Sequence, residues 1–380
     1  MTHPCPPLFD HHTPPAAGAR SASRSLTMPA LALALACAPF TLATAQGRCG
    51  GARAGTTACD TVPMKAPFAP TGWKTVALDH FAMQATDYKK EAAYYATLMN
   101  WKLRSDDGTQ AVLDIGDIGS VIIRGGFQAP PPPPPPTAAD SAAGRGGRGG
   151  GGARAPRHVA WDSFCWVIEP WNAKKVEAEL KTRGLNPVAD NDGKGFESFH
   201  VKDPDGFDVQ ISNGANVKMR KSMAANAKLT GAAPFEGTDW KTVWLDHISF
   251  EVSNYKESTA FYAALLGWKP TGDEGSQNET EIGDVGNIII RGGNPAATPA
   301  GAAPAPRHAQ MGHVSFGITP FDADNTKAAL TARGLNARED TGGKGDIHDE
   351  KAKYKSYHTT TPEGFDLQIS NATKASRTVR

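Results

Sequence analysis

The sequence predicts an α+β fold made of two tandem copies of one domain, four βαβββ units in all. Two observations carry this reading. The first is an internal repeat: Gly72-Trp-Lys-Thr-Val-Ala-Leu-Asp-His80 recurs as Asp239-Trp-Lys-Thr-Val-Trp-Leu-Asp-His247, an offset of 167 residues that holds to Arg124 and Arg291. Ala155-Pro-Arg-His158 then matches Ala305-Pro-Arg-His308 at an offset of 150, and Gly206-Phe-Asp-Val-Gln-Ile-Ser-Asn213 matches Gly364-Phe-Asp-Leu-Gln-Ile-Ser-Asn371 at 158. Offsets that change only at insertions mark a duplication. The second observation is the pattern within each half copy, where a β-branched and aromatic strand is followed by a helix and then by short strands.

Taken in order, Val76 to Met83 and Val243 to Val252 read as strands. Helices are predicted over about Asp87–Asn100 and Asn254–Gly267, with Tyr94, Tyr95, Leu98 and Met99 on one apolar face and Phe261, Tyr262, Leu265 and Leu266 repeating it. Asn100 and Gly267 suit the left-handed residue that ends a helix. Short strands close at Arg124 and Arg291. The second half of each copy restarts with Phe164 to Ile168 and Val314 to Ile318, and helices follow over about Asn172–Arg183 and Asp322–Arg333. The predicted domains are 72–214, carrying a Pro/Gly/Arg-rich insertion at 128–157, and 239–372, joined by a linker at 215–238.

Ahead of the domains, Arg20 and Arg24 precede an apolar stretch from Leu26 to about Leu42, and Ala43-Thr44-Ala45 offers a small-x-small cleavage site. That layout predicts an export signal over residues 1–45, a leader over 46–71 and a periplasmic or secreted protein. An oxidising compartment would permit a Cys49–Cys59 disulfide, with two free thiols the alternative. The 40 basic and 39 acidic residues leave a net charge of +1, which excludes a general pull toward nucleic acid or an anionic membrane. The arginines of the insertion read as a solvated loop.

A βαβββ unit ending in Asp203-Pro-Asp-Gly206 or Thr361-Pro-Glu-Gly364 before a strand resembles the vicinal oxygen chelate superfamily, the glyoxalase, bleomycin-resistance and extradiol dioxygenase group. The resemblance covers roughly residues 72–214 and 239–372. It implies cup-shaped mixed sheets, one per pair of units, around a divalent metal: Fe, Mn, Zn or Ni. The ligand positions match His247, His313 and Gln368 in the second copy, and His80, Ser163 and Gln210 in the first. Two imidazoles and an oxygen on a rigid sheet leave positions open for two vicinal substrate oxygens. Gln368 stands where the family usually has Glu, and Asp366, two residues earlier, is a substitute carboxylate. Arg291 is the expected contact for an anionic substrate group, and His308, Tyr357 and His358 are the candidate acid/base residues.

The expected function is a metal-dependent dioxygenase, or a glyoxalase-type lyase or isomerase, acting on a small molecule through the second copy, as a monomer or homodimer. Two rivals stand beside it: a metal-free binding protein of the bleomycin-binding type, which needs no Glu on the last strand, and an interaction module whose cups are filled by side chains. The residues leave open whether units pair within a copy or across copies.

Overall fold

A computed structural model describes residues 64–128, 157–229, 231–293 and 306–376. The expected export signal, the Cys49 and Cys59 pair and most of the 128–157 insertion lie outside the described residues. Among the described residues no helix is long and apolar enough to cross a membrane.

The first copy runs β1 (Lys74–Ala85), α1 (Tyr88–Leu98), β2 (Lys102–Asp106), β3 (Gln110–Ile115) and β4 (Gly119–Arg124). Its second unit follows as β5 (Val159–Glu169), α2 (Ala173–Thr182), β6 (Val188–Asn191), β7 (Glu197–Lys202) and β8 (Asp208–Ser212). A short helix, α3 (Ala215–Ser222), opens the segment expected to be a plain linker. The second copy repeats the plan with β9 (Lys241–Val252), α4 (Tyr255–Leu266), β10 (Lys269–Asp273), β11 (Gln277–Ile282) and β12 (Gly286–Arg291), then β13 (Ala309–Thr319), α5 (Ala323–Ala332), β14 (Arg338–Asp340), β15 (Ser356–Thr360) and β16 (Asp366–Ser370).

The units pair within each copy, which settles the question the residues left open. One mixed sheet has the order β2-β3-β4-β1-β5-β8-β7-β6, and the other β10-β11-β12-β9-β13-β16-β15-β14. In each, the opening strands of the two units meet antiparallel at the centre, β1 on β5 and β9 on β13, and each is flanked by a parallel neighbour from its own unit.

Local chemistry explains the helix boundaries. Asp87, Asn172, Asn254 and Asp322 cap their helices, each side chain accepting from a backbone N–H of the first turn. Asn100 (φ 54°) and Gly267 (φ 69°) both take the left-handed conformation expected of them. At Gly267 space adds a second requirement, since a Cβ there would sit 2.3 Å from the Trp73 carbonyl oxygen.

The two copies share an aromatic core. On β5, Phe164 and Trp166 alternate with Ser163 and Cys165 and point to the other face. Phe164 meets Phe250, Tyr262 and Trp268 of the second copy at ring-centroid distances of 5.8–6.1 Å, and Trp166 meets Trp268 edge-on at 5.4 Å. Hydrogen bonds cross the same interface in near-symmetric pairs: Trp101 Nε1 donates to Thr242 Oγ1 at 2.9 Å, and Trp268 Nε1 to Thr75 Oγ1 at 3.0 Å. The closing motifs take part as well. Tyr262 donates to Asp203, and the Glu363 N–H donates to Glu91.

Candidate metal centre

A β-strand alternates its side chains, so Asp246 and His247 should face opposite ways. They do not, because β9 carries an extra residue there: His247 pairs with Ser315 and Leu245 with Phe316, leaving Asp246 as the bulge. Both side chains therefore reach the face away from the helices. Asp246 accepts from Ser315 Oγ (2.8 Å), Tyr354 Oη (2.8 Å) and Ser370 Oγ (3.0 Å), and it lies 3.3 Å from His247 Nδ1. A fixed carboxylate beside Nδ1 favours the tautomer with its proton there and turns Nε2 toward His313.

A second bulge presents the partner imidazole. Met311 pairs with Phe250 and His313 with Ser249, so Gly312 is the extra residue of β13. Nε2 of His313 lies 3.0 Å from Nε2 of His247, with the rings nearly perpendicular. Two imidazole nitrogens each about 2.1 Å from one ion, at about 90° to each other, stand about 3 Å apart. Desolvation, then the nearby His247, His358 and Arg291, push the His313 pKa well below the ordinary imidazole value, so the ring is held neutral, the form that ligates.

Gln368 shares a row with these residues, since His247 pairs with Ser315, Ser315 with Gln368 and Gln368 with His358. Its Nε2 is held by Ser356 Oγ (2.7 Å), Tyr354 Oη (3.0 Å) and Asp340 Oδ2 (3.2 Å). The carboxylate, which can only accept, fixes the amide orientation. Oε1 is then left buried with no hydrogen-bond partner among the described residues. Buried acceptors are rarely left so. Two converging imidazoles and an orphaned carbonyl fit a divalent transition metal.

His358 stands beside His313 with ring centroids 4.9 Å apart, and His313, His358 and Asp366 form a group with ligating atoms within 4.8 Å. The nitrogens of His358 are already engaged, by Asp366 at 3.2 Å and Asp340 at 3.3 Å. Burial disfavours its charge, but those two carboxylates outweigh burial and raise its pKa. His358 is thus placed to carry a proton rather than a metal. Asp366 also accepts from Arg338 at 2.5 Å, so it is spoken for as a substitute ligand.

Arg291 ends β12 opposite Glu251 and close enough to influence His313. Its Nε is buried, and among the described residues its side chain has no ion-pair or hydrogen-bond partner. The other two acid/base candidates are not brought in. Tyr357 neighbours His358 on one strand, and alternation turns it to the opposite face, where it is buried near the acidic start of α5 with its pKa pushed up by burial to about 12. His308 precedes β13, is exposed, and is tied through its backbone to Ser253.

The first copy shows the same architecture without the pair of imidazoles. Asp79 is again the bulge residue and lies 2.9 Å from His80 Nδ1, while Ser163 takes the place of His313. Gln210 and His200 keep the interactions of Gln368 and His358: Gln210 Nε2 donates to Ser198 Oγ at 2.7 Å, and His200 Nδ1 lies 2.9 Å from Asp208. Residues of α3 bind the bulge and its neighbours. Asn216 donates to Asp79, and Arg220 donates to Ser120 and to the Leu78 and Asp79 carbonyls. Asp79, His80 and Cys165 also form a buried group with ligating atoms within 4.8 Å. Burial, with Asp79 adding to it, raises the Cys165 thiol pKa well above its usual value.

Sequence reasoning missed Asp246, Tyr354 and Asp340. The repeated Leu-Asp-His offered a signal for Asp246, but its facing depends on a bulge that alternation cannot foresee.

Residues 244–369 match the family model described as the Glyoxalase/Bleomycin resistance protein/Dioxygenase superfamily. Among solved structures, the Mn(II)-bound glyoxalase from Novosphingobium aromaticivorans is similar at 15% identity and a TM-score of 0.51, covering 78% of this chain and 82% of that one. The substrate complex of homoprotocatechuate 2,3-dioxygenase from Brevibacterium fuscum is similar at 17% identity and a TM-score of 0.50, covering 82% of this chain and 84% of that one. At such identities the likeness is one of fold. No curated protein matches the chain. The family match thus lies within the second copy, and the first copy repeats that copy's sheet order.

Proposed function

We propose that the second copy is a metal-dependent enzyme, a dioxygenase or a glyoxalase-type lyase or isomerase, acting on a small molecule with two vicinal oxygens. The observation that carries this reading is the approach of His247 and His313 to 3.0 Å, with the unpartnered Oε1 of Gln368 on the same row of the sheet as His247. These three residues would hold the ion, with Asp246 orienting His247. A divalent ion held there would supply Lewis-acid activation of the two substrate oxygens. His358, kept toward its protonated form between Asp340 and Asp366, would deliver or store a proton beside the substrate. Fe, Mn, Zn and Ni all suit two imidazoles and an amide oxygen.

Arg291 would hold an anionic group of the substrate, and a comparison of the copies supports that role. In the first copy Arg124 is paired with Asp162 at 3.0 Å. The equivalent of Asp162 is Gly312, and the partner of Arg291 is lost with it. Arg291→Gln should weaken binding of a carboxylated catechol about tenfold relative to unsubstituted catechol, the size expected for a charge-assisted hydrogen bond. The pair Gly312→Asp with Glu251→Gln, which installs the first-copy set, should do the same. Equal affinities for the two catechols in all variants would remove Arg291 from the site.

Glutamine at both last-strand positions favours a second reading, a metal-free binding protein. A calorimetric titration with Mn(II), Fe(II), Zn(II) and Ni(II) separates the two. Micromolar or tighter binding of one ion supports the enzyme, and no binding leaves the binding protein. Export belongs to the same proposal. The cleavage site at Ala43-Thr44-Ala45 predicts a mature N-terminus near Gln46. N-terminal sequencing that returned intact Met1 would contradict it.

A further inference from the structure

A β-bulge leaves its extra residue outside the ladder, so its backbone groups need partners from elsewhere. The bulge at Gly312 immediately precedes His313, and glycine gives that point wide conformational freedom. Whatever fixes the bulge therefore also fixes the imidazole. The partner comes from the first copy: Arg157, just ahead of β5, donates through Nη2 to the Gly312 carbonyl at 3.0 Å and through Nη1 to the Met311 carbonyl at 3.4 Å. A planar guanidinium fork suits two successive carbonyls. The same guanidinium lies 5.8 Å from the ring centre of Phe365, just before the strand that carries Gln368. The next residue reinforces the joint, as the His158 N–H donates to the Glu363 carbonyl at 2.7 Å.

The duplicate supplies the control. Arg307 is the counterpart of Arg157, but it pairs with Asp205 (3.0 Å) and Glu257 (2.8 Å) rather than with the bulge carbonyls of the first copy. The residue after that bulge is Ser163, which has no ring to aim. The arginine grip occurs in the copy where an imidazole follows it.

We infer that Arg157 of the first copy is a positioning residue for His313, so that the domain lacking the second imidazole holds the metal centre of its neighbour in register. The inference rests on the metal reading proposed above. Metal sites tolerate displacements of only about half an ångström, and groups that orient a ligand are worth about 10- to 100-fold in metal affinity.

The test compares full-length Arg157→Ala, Arg157→Lys and Arg307→Ala with the parent chain. Co(II) titration, followed by its visible absorption bands, should show about tenfold weaker binding and altered band intensities for Arg157→Ala. Arg157→Lys should recover part of the loss, because one ammonium can still meet one carbonyl. Arg307→Ala removes a comparable link between the copies and should leave both Co(II) affinity and spectrum unchanged, whatever its effect on melting temperature. Equal Co(II) behaviour in Arg157→Ala and Arg307→Ala would overturn the inference. Histidine side-chain NMR of the metal-free proteins decides the matter without an ion. Shifted His313 signals in Arg157→Ala alone support the positioning role, and unchanged signals overturn it. Should the parent chain bind no Co(II), the metal reading falls and this second comparison still decides.

Discussion

Replacing His313 with alanine is expected to weaken divalent-metal binding by more than about 100-fold and to leave the fold intact. The size follows from its place in the site. Loss of a group that merely orients a ligand costs about 10- to 100-fold, and His313 would be a ligand itself. Its ring is partly exposed at the polar face of the sheet and outside the aromatic core, so truncation opens no apolar cavity. His80→Ala is the matched control. His80 occupies the equivalent strand position, but Ser163 stands where the second copy has its other imidazole, and Arg220 donates to the carbonyl of the bulge residue Asp79. Its loss should leave metal stoichiometry and affinity unchanged. Isothermal titration of both variants reads the contrast, and equal losses in the two would mean that the copies are equivalent.

Raising the pH from about 5 to about 8 is expected to cost about 2–3 kcal/mol of folding stability through one residue, Glu91. Glu91 is fully buried at the interface between copies, where its Oε2 accepts from the Glu363 N–H. Burial, with the nearby Glu363 adding to it, pushes its pKa from the usual 4.5 to about 7 despite opposing hydrogen bonds. A carboxyl whose folded pKa is raised favours the folded state while neutral. That stability is fully present below about pH 4.5 and is lost as the pH rises through about 7. Asp203, held up to about 6 chiefly by burial at the opposite closing motif, acts in the same direction over a lower window. Glu91→Gln should remove most of the dependence and be the more stable protein at about pH 8. Urea unfolding of both proteins at the two pH values tests this, and a parallel pH response in Glu91→Gln would show that the carboxyl is not the source.

The sequence repeat made both sheets legible, because a duplicated pattern constrains each copy twice. The helix stops at Asn100 and Gly267 were legible for a local reason, the left-handed backbone each adopts. His247, His313 and Gln368 could be named from the strand positions they share with a known family. The approach of His247 to His313 depends on the bulges at Asp246 and Gly312, which no period-two pattern contains. Alternation was a usable signal in one place: Tyr357 and His358 are adjacent on a regular strand, so both could not face the site. Arg157 was illegible because its carbonyl partners lie 154 and 155 residues away. The helix α3 was missed because none of its residues is buried and no apolar stripe marks it.

The metal content of the intact chain tests a centre at His247 and His313 most directly. Saturating titration followed by removal of free ion and elemental analysis should find about one divalent ion per chain, and none in His247→Ala/His313→Ala. No bound ion in the parent chain, or an ion retained in the double variant, would contradict it.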